Sequence, residues 1–374
     1  DDSEQTPLNT PVDVDVLNND DFGNNGPANA PLRILQEPEN GTATVNDNGT
    51  PAMFTDDFVE YTPDNGFTGM DTLTYIIQDQ NFSTDTAMVD VEVLAGVGLN
   101  LKVFLLGALW PDVSGTGLMR DDLRTGDYIP LDQPYSSALN SRFAQVVGGA
   151  EVTTEAVLDA NAGTGDAIVD WIFIELRDPT DNTQVLLTFS ALLQRDGDVV
   201  AVDGGPVNLS VPVPASFYVA VKHRNHLGVM TQNPVNVVAD LATVDFTTIA
   251  TTALYNEPGY EGLEVYTLGN GTNALWAGNA SADAKLKYQG ASTDPATVLI
   301  EAITHPNNNG SPPIFNFNDG FGYYQGDLNL DGKVKYQGAG NDLTLLFINL
   351  ISYPLNTGSL YNYDLFFEQV PTAP

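Results

Sequence analysis

Short runs in which apolar and polar residues alternate dominate the N-terminal part of the chain. Such alternation is typical of half-buried β-strands, and it occurs in Val12–Val16, Thr42–Val45 and Thr72–Ile77. Asn-Gly and other glycine-rich turns separate these runs. The pattern therefore predicts one β-sandwich over residues 1–95.

The middle of the chain also has a strand-like pattern. Runs rich in β-branched and aromatic residues, broken by Asp-Gly, Gly-Gly and proline turns, are Leu99–Leu106, Ala167–Leu176, Gln184–Gln194 and Phe217–Lys222. They predict a second β-sandwich over residues 96–252. In the remaining region, 253–374, two polar loops are each followed by an apolar run. We expect helices over Asp294–Ile303, with Asp294 as cap and Pro295 at the first helical position, and over Leu343–Ile351.

Two stretches of the C-terminal region share one frame. The offset between Trp276–Asp294 and Tyr324–Asp342 is 48 residues throughout, and it aligns Asn279, Ser281, Asp283 and Asp294 with Asp327, Asn329, Asp331 and Asp342. Oxygen-bearing side chains at loop positions one, three and five, then a turn glycine and a distant carboxylate, are what a hard cation such as calcium requires. Lys285 and Lys333 occupy position seven, where such loops use the backbone carbonyl. The spacing predicts two calcium loops.

The two loops depart from the standard spacing. A standard loop ends on a carboxylate at about position 12, whereas Asp342 is at position 16, so four extra residues within Lys335–Asn341 must bulge outward. The first loop has fewer carboxylates and carries Ala284 where the second has Gly332. A left-handed alanine there would cost about 1–2 kcal/mol. The alternative for both loops is an Asx-turn solvated by water.

The second loop and the apolar run after it, Gly326–Ile351, resemble a dockerin repeat, in which a D-x-N-x-D-G loop leads into a helix. The resemblance implies calcium binding and a cohesin partner, and the four-residue insertion departs from the dockerin pattern. Paired loop-helix units of this kind pack their apolar faces together. Leu345, Leu346 and Ile348 are therefore expected to form a small core.

The N-terminal region carries a second resemblance. The segments Thr10–Asp21, Glu39–Val45 and Val59–Tyr75 resemble the cadherin-like, immunoglobulin-type repeat of long bacterial surface adhesins. This family implies a β-sandwich with calcium at its ends, where Asn18–Asp21 would supply oxygens, helped by Asp2 and Asp79. The alternative is an acidic turn that faces water.

Parts of the middle region resemble a module of secreted multidomain proteins of Bacteroidota. They are Gly117–Tyr135, Ala167–Asp178, Ala191–Gly204 and Phe217–Thr231. The expected fold class is thus mainly β, with tandem Ig/cadherin-like β-sandwich domains and a small C-terminal dockerin-like loop-helix unit. The expected location is extracellular, at the cell surface.

Composition narrows the function further. The 374 residues include 13 basic and 49 acidic residues, which gives a net charge of −36. Such a charge repels nucleic acid and anionic membranes and attracts cations. Cysteine is absent, so thiol chemistry is excluded. No apolar run approaches the roughly 18–20 residues of a membrane span, and the start at Asp1 inside a repeat suggests a processed or excerpted mature form.

Catalytic motifs were sought without success, and we expect no enzyme. His223 and His226, near Asp196 and Asp198, are a minor candidate for a zinc or acid-base site, but strand alternation would place the two histidines on opposite faces. Trp110 and Tyr135 are candidate platforms for a glycan, whereas Trp171 lies in an apolar strand and is expected in the core.

The sequence thus predicts a non-catalytic extracellular structural or adhesive protein. The leading interpretation is a subunit of a bacterial surface filament that self-associates or binds other subunits, with calcium as its stabilising cofactor. The alternative is a carbohydrate-binding or dockerin-type docking module of a larger secreted protein.

Overall fold

The computed structural model describes residues 1–51, 53–94, 96–115, 117–135, 141–209 and 213–372. The chain divides into two compact units, the first made of Asp1–Val97 with Asn208–Val213 and the second of Gly98–Val207 with Pro214–Pro374. The predicted fold class is confirmed, because strands in several sheets make up most of the regular structure. Most of the middle and C-terminal regions, predicted as separate domains, lie together in the second unit.

The first unit is a two-sheet sandwich. Its strands are β1 (Asp2–Pro7), β2 (Val12–Val14), β3 (Pro27–Gln36), β4 (Gly41–Asn46), β5 (Phe58–Pro63), β6 (Gly69–Asp79) and β7 (Thr84–Leu94), with a short 3-10 turn at Gly23–Asn25. One sheet has the order β1-β7-β6-β3 and the other β2-β5-β4. Alternation buries one side of each strand, so Tyr61, Tyr75 and Val91 are inaccessible in the core between the sheets.

Further along the chain the elements are shorter and more varied. They are β8 (Val97–Lys102), α1 (Leu106–Leu109), α2 (Asp122–Thr125), α3 (Glu155–Asp159), β9 (Ile168–Arg177), β10 (Val185–Gln194), β11 (Val199–Val200), β12 (Asn208–Leu209), β13 (Ser216–His223), β14 (His226–Met230), β15 (Val235–Asn236), β16 (Leu241–Asp245), β17 (Tyr266–Thr267), β18 (Asn273–Ala274), α4 (Asp294–Thr304) and α5 (Leu343–Ser352), with 3-10 turns at Ser141–Phe143 and Thr251–Ala253.

An antiparallel sheet organises the second unit. Its order is β11-β10-β9-β13-β14, with β15 also paired to β13, and the predicted strands in this region are confirmed as β9, β10 and β13. Every residue of β9 is buried, which is expected for a central strand covered on both faces. β8 and β16 pair in parallel, and β17 pairs with β18.

Both predicted C-terminal helices are confirmed as α4 and α5. Leu345 and Leu346 are buried, as expected for a small core, while Ile348 is only half-buried. One detail of the prediction is wrong. Thr293 rather than Asp294 precedes α4, and the Asp294 carboxylate turns back to the preceding loop instead of capping the helix. None of the helices in the described residues has the length and apolar character needed to cross a bilayer.

Candidate metal centre

The 48-residue sequence repeat of the C-terminal region is also a repeat of backbone conformation. In each of the two loops, 279–294 (loop 1) and 327–342 (loop 2), four residues have positive φ at matching positions. The pairs are Ala282 with Leu330 (54° and 53°), Ala284 with Gly332 (66° and 76°), Gly290 with Gly338 (114° and 89°), and Ser292 with Gly340 (52° and 68°). Ala284 is thus left-handed, like Gly332, and the loops share one path.

The last carboxylate of each loop closes that path in the same way. Asp342 Oδ2 accepts a hydrogen bond from the Lys335 N–H at 2.7 Å, and the Asp342 N–H donates to the Lys335 carbonyl at 3.1 Å. Asp294 makes the same two contacts with Lys287, at 2.7 and 3.1 Å. The extra residues of loop 2 therefore lie beyond this closure, where Gln337–Gly340 are exposed, and do not disturb the candidate ligands.

Loop 2 gathers its polar side chains around backbone N–H groups. Asp327 accepts from Asp331 N at 3.1 Å and Gly332 N at 2.9 Å, and Asp342 Oδ1 accepts from Leu328 N at 2.8 Å. Asn329 Oδ1 accepts from Asp331 N at 3.1 Å. Since each oxygen has a second lone pair, these hydrogen bonds orient the ligand atoms and leave them able to bind a cation.

Positive charge compensates the carboxylates of loop 2 only in part, since Arg224 acts on Asp327 and both Arg120 and Lys333 act on Asp331 without forming a salt bridge to them. Asp327 and Asp342 are fully buried and Asp331 is partly buried, yet no salt bridge from a described basic side chain reaches any of them. Burial raises the pKa of the Asp327 carboxyl, and burial together with the neighbouring Asp327 charge raises the pKa of Asp342 well above its ordinary value. A divalent cation would remove this unfavourable crowding of negative charge.

Loop 1 has the same backbone path but fewer carboxylates among its candidate ligands. Asn279 is fully buried, and neither its Oδ1 nor its Nδ2 has a hydrogen-bond partner. Ser281 donates to Asp294 Oδ1 from both its N–H, at 2.9 Å, and its hydroxyl, at 3.0 Å. Asp283 is exposed, and burial raises the pKa of Asp294 to about 7. Loop 1 thus offers a buried amide oxygen without a hydrogen-bond partner, on Asn279, and a buried carboxylate, on Asp294, as part of a ligand set for a cation.

The residues at position seven lie in short β-bridges. Lys333 is bridged to Phe321, with hydrogen bonds from Gly322 N to Gly332 O at 3.0 Å and from Val334 N to Gly320 O at 2.9 Å. Because carbonyls alternate along an extended strand, the Lys333 carbonyl points to the opposite side. Lys285 is bridged to Phe367 in the same manner. The geometry therefore suits the predicted use of backbone carbonyls.

These bridges are exchanged between the repeats. The segment 320–322, which follows α4, pairs with loop 2, while the segment 366–368, which follows α5, pairs with loop 1. Each loop is thus supported by the strand that trails the other loop.

The repeat extends further than the sequence comparison indicated. Asn308 Nδ2 donates to Ala302 O and Ile314 O, both at 2.9 Å, after α4. Asn356 makes the equivalent contacts with Leu350 O and Leu360 O, at 2.8 and 3.0 Å, after α5. The signal was present in the sequence, since a proline two residues before an asparagine recurs at the same 48-residue offset as Pro306 and Pro354.

The residues present fit a calcium ion. Oxygen donors prevail, loop 2 supplies three carboxylates, and Asn279 offers an orphaned oxygen in loop 1. Within the described ranges no three His, Asp or Glu side chains form a compact metal cluster by themselves. The candidate ligand set is accordingly mixed, with amide and backbone oxygens beside the carboxylates.

A buried polar cluster beneath the loops was only partly foreseen. His223 and His226 face each other across the β13–β14 turn, with 3.0 Å between their Nδ1 atoms, so the prediction that they lie on opposite faces is wrong. The physical reason is the tight turn, which reverses the chain between them. The acidic partner of His223 is Asp170, at 3.0 Å from its Nε2, and not Asp196 or Asp198, which lie near Lys102.

Asp170 was missed because nothing in an apolar strand marks one carboxylate as special. It also accepts from Arg224 Nε at 3.1 Å and from the Tyr323 hydroxyl at 2.7 Å. Burial lowers the pKa of both histidines, so both are neutral at pH 7. The two histidines and Asp170 are fully buried, which suits a structural role.

The predicted glycan platform is not supported at Tyr135. Its side chain is 1% exposed, packs against Phe143 and Phe173, and donates from its hydroxyl to Trp171 O at 2.8 Å. It is a core residue, since its ring fills the space beside β9. Trp110 is half-buried, and Trp171 is buried as expected.

The N-terminal acidic turn is internally bonded. Asn19 donates to Asp2 Oδ1 at 2.8 Å, and the Tyr75 hydroxyl contacts Asp2 and Asp20 at 2.9 and 2.8 Å. Asp79 accepts from the N–H groups of its own turn. Calcium at this turn stays a prediction.

Comparison with known proteins gives one family. Residues 1–92 match the bacterial Ig domain family, which confirms the predicted immunoglobulin-type domain there. No curated protein matches the chain.

Similarity to solved structures is weak. BcpA, the major pilin subunit of Bacillus cereus, matches at 7% identity and a TM-score of 0.21 over 65% of this chain, which spans 66% of that pilin. Mouse clustered PcdhgC3 EC1-3 matches at 10% identity and a TM-score of 0.14, over 57% of this chain and 56% of that chain. Scores this low carry no argument about function.

Proposed function

We propose that this protein is a non-catalytic structural protein of the bacterial surface, and that calcium bound in its two C-terminal loops stabilises its second unit. The observation that carries the proposal is the set of buried carboxylates in loop 2 that form no salt bridge with a described basic side chain. The bacterial Ig domain over residues 1–92 supports the surface location, because such domains are common in extracellular proteins.

Calcium would act as a folding ligand. Asp327, Asp331, Asp342, the Asn329 amide and the Lys333 carbonyl would hold the ion in loop 2, and Asn279, Ser281, Asp283, Asp294 and the Lys285 carbonyl would hold it in loop 1. An ion that binds only the folded state adds about 2.7 kcal/mol of stability when its free concentration is 100-fold above its dissociation constant. Outside the cell, where calcium is plentiful, the buried carboxylates would therefore stabilise the folded state instead of destabilising it.

The direct test is calorimetric titration of metal-free protein with calcium, combined with thermal unfolding in calcium and in chelator. We expect two binding events and a lower melting temperature of the second unit in chelator. Asp331→Ala should remove the loop 2 event, whereas Asp166→Ala, which removes an exposed carboxylate from the same unit, should leave both events intact. An isotherm without heat and a melting temperature indifferent to calcium would refute the proposal.

Assembly into a filament belongs to the same proposal. The net charge of −36 opposes association of copies at low ionic strength, and calcium would reduce that repulsion. Electron microscopy of concentrated protein with calcium should show regular polymers that disperse in chelator. Sedimentation as a monomer at every concentration and calcium level would leave a stabilised monomeric surface domain instead.

Docking to a partner protein is the second candidate. It is favoured by the paired loop-helix arrangement and by the exposure of Ile300 on α4, which is 57% accessible. Ile300→Glu should abolish calcium-dependent binding to a cohesin-type partner without altering calcium affinity. The burial of Tyr135 removes one of the two side chains on which a glycan-binding role depended.

A further inference from the structure

One residue of the β13–β14 turn contacts both loops. The Asn225 carbonyl accepts hydrogen bonds from Gly278 N at 3.1 Å and Asn279 N at 3.0 Å, at the start of loop 1. The Asn225 side chain donates from Nδ2 to Gln325 O at 3.1 Å and Asp327 O at 2.6 Å, at the start of loop 2. Asn225 is fully buried between these partners. It therefore touches the first candidate ligand of each loop through the backbone.

The orientation of the Asn225 side-chain amide is fixed by the buried histidine cluster. His226 Nε2 accepts from Gly107 N at 3.0 Å, so the proton of the neutral imidazole is on Nδ1. That Nδ1 lies 2.9 Å from Asn225 Oδ1, which leaves Nδ2 directed at the loop 2 carbonyls. His223 and Asp170 hold His226 in turn. Because the turn is anchored to the central sheet, Asn225 cannot move with one loop alone.

The segment that leads into loop 2 also contacts loop 1 around this turn. Gln325 Nε2 donates to Arg224 O and lies 3.4 Å from Asn279 O. Together with the exchanged β-bridges at Phe321 and Phe367, these contacts give the two loops shared supports. A movement of the Asp327 backbone is therefore transmitted to Asn279 through a continuous set of hydrogen bonds.

We infer that Asn225 couples the two loops energetically, so that calcium in either loop raises the affinity of the other. This inference rests on the proposed calcium function. An ion in loop 2 fixes the backbone of Asp327, and that backbone holds the Asn225 amide in the conformation that also positions Gly278 and Asn279. The sign is positive because the single conformation of Asn225 seen here contacts the first candidate ligand of both loops at once. Asn225 is a positioning residue, since it supports the ligands without binding the ion.

The test is a double-mutant cycle on the full chain with calcium alone as the probe. NMR signals of selectively labelled glycine report each loop, with Gly290 for loop 1 and Gly332 for loop 2. We expect Asp331→Ala, which disables loop 2, to weaken calcium binding at loop 1 by about five-fold or more. In the Asn225→Ala background the same substitution should weaken loop 1 by less than about two-fold. A purely structural role for Asn225 would lower stability without removing this dependence.

Each outcome decides between the alternatives. Loop 1 affinity that is unchanged by Asp331→Ala in the parent overturns the coupling while leaving calcium binding intact. Absence of calcium shifts in the parent overturns the proposed function and this inference together. If Asn225→Ala loses the near-ultraviolet circular dichroism of the folded parent, Asn225→Ser, too short to reach both carbonyls, replaces it in the cycle. Independently, Asp294→Ala should weaken loop 2 by a comparable factor, and an unchanged loop 2 affinity would contradict the inference.

Discussion

Loop 1 and loop 2 have the same backbone and different chemistry. Matching φ angles and matching closure by Asp294 and Asp342 show that the path does not depend on the side chain at position one. Asp327 binds two backbone N–H groups of its own loop, whereas the Asn279 amide binds none. Shape is thus set by the terminal carboxylate and the left-handed positions, while the side chain at position one decides how strongly a cation is attracted.

The largest expected effect is at the terminal carboxylates. Asp342→Ala removes a proposed ligand and leaves the N–H groups of Leu328 and Lys335 without their acceptor, and each unsatisfied group costs about 1–3 kcal/mol. Together with the lost calcium linkage of about 2.7 kcal/mol, we expect a loss of about 5–9 kcal/mol in denaturant unfolding of the second unit in calcium. Asp294→Ala should cost less. A larger loss for Asp294→Ala than for Asp342→Ala would mean that loop 1 contributes more to stability than loop 2.

The pH dependence should come next. Burial raises the pKa of Asp294 to about 7, so between an unfolded value of 3.8 and that value the folded state binds more protons than the unfolded state. In chelator, stability should therefore fall as pH rises, by at most about 2.7 kcal/mol over two pH units for one group. Calcium binds the ionised form and should abolish the fall. Thermal unfolding at several pH values, with Asp294→Asn as the flatter control, checks this.

Exchanging the residues at position one should shift affinity by a smaller amount. Asn279→Asp adds a carboxylate to loop 1, and Asp327→Asn removes one from loop 2. We expect about a ten-fold gain in the first case and a ten-fold loss in the second, which corresponds to about 1.4 kcal/mol each. Calcium titration of the two variants measures both. Equal affinities in parent and variants would mean that position one does not bind the ion.

Two variants at the left-handed position compare the loops by stability alone, and the smallest effect of all is expected for Ala284→Gly. Gly332→Ala introduces a Cβ that would lie 2.8 Å from the Tyr128 ring in addition to the strain of φ 76°, so we expect a loss of about 1–3 kcal/mol. Ala284→Gly relieves similar strain but gains entropy in the unfolded chain, so its net effect should stay within about 1 kcal/mol. Equilibrium unfolding of the two variants should show this asymmetry.

Features that depend on residues close together in the sequence could be predicted from it. Runs rich in β-branched and aromatic residues located β9 and β13, and the Asp-Pro start located α4, because these patterns depend on neighbouring residues. The pairing of His223 with His226 could not be predicted in this way, since it depends on a reversal of the chain between them. Burial of Tyr135 likewise depends on Phe143 and Phe173 from other elements. The role of Asn225 was invisible because its partners lie about a hundred residues away in the sequence.

The exchanged bridges have a consequence for the integrity of the C-terminal region. A lone copy of the repeat would expose a loop without its strand and a strand without its loop, and a second copy would satisfy both deficits about a twofold axis. The two copies therefore depend on each other for the pairing of their loops. Proteolytic nicking in the exposed 309–312 connection should accordingly leave two fragments that stay together until denatured.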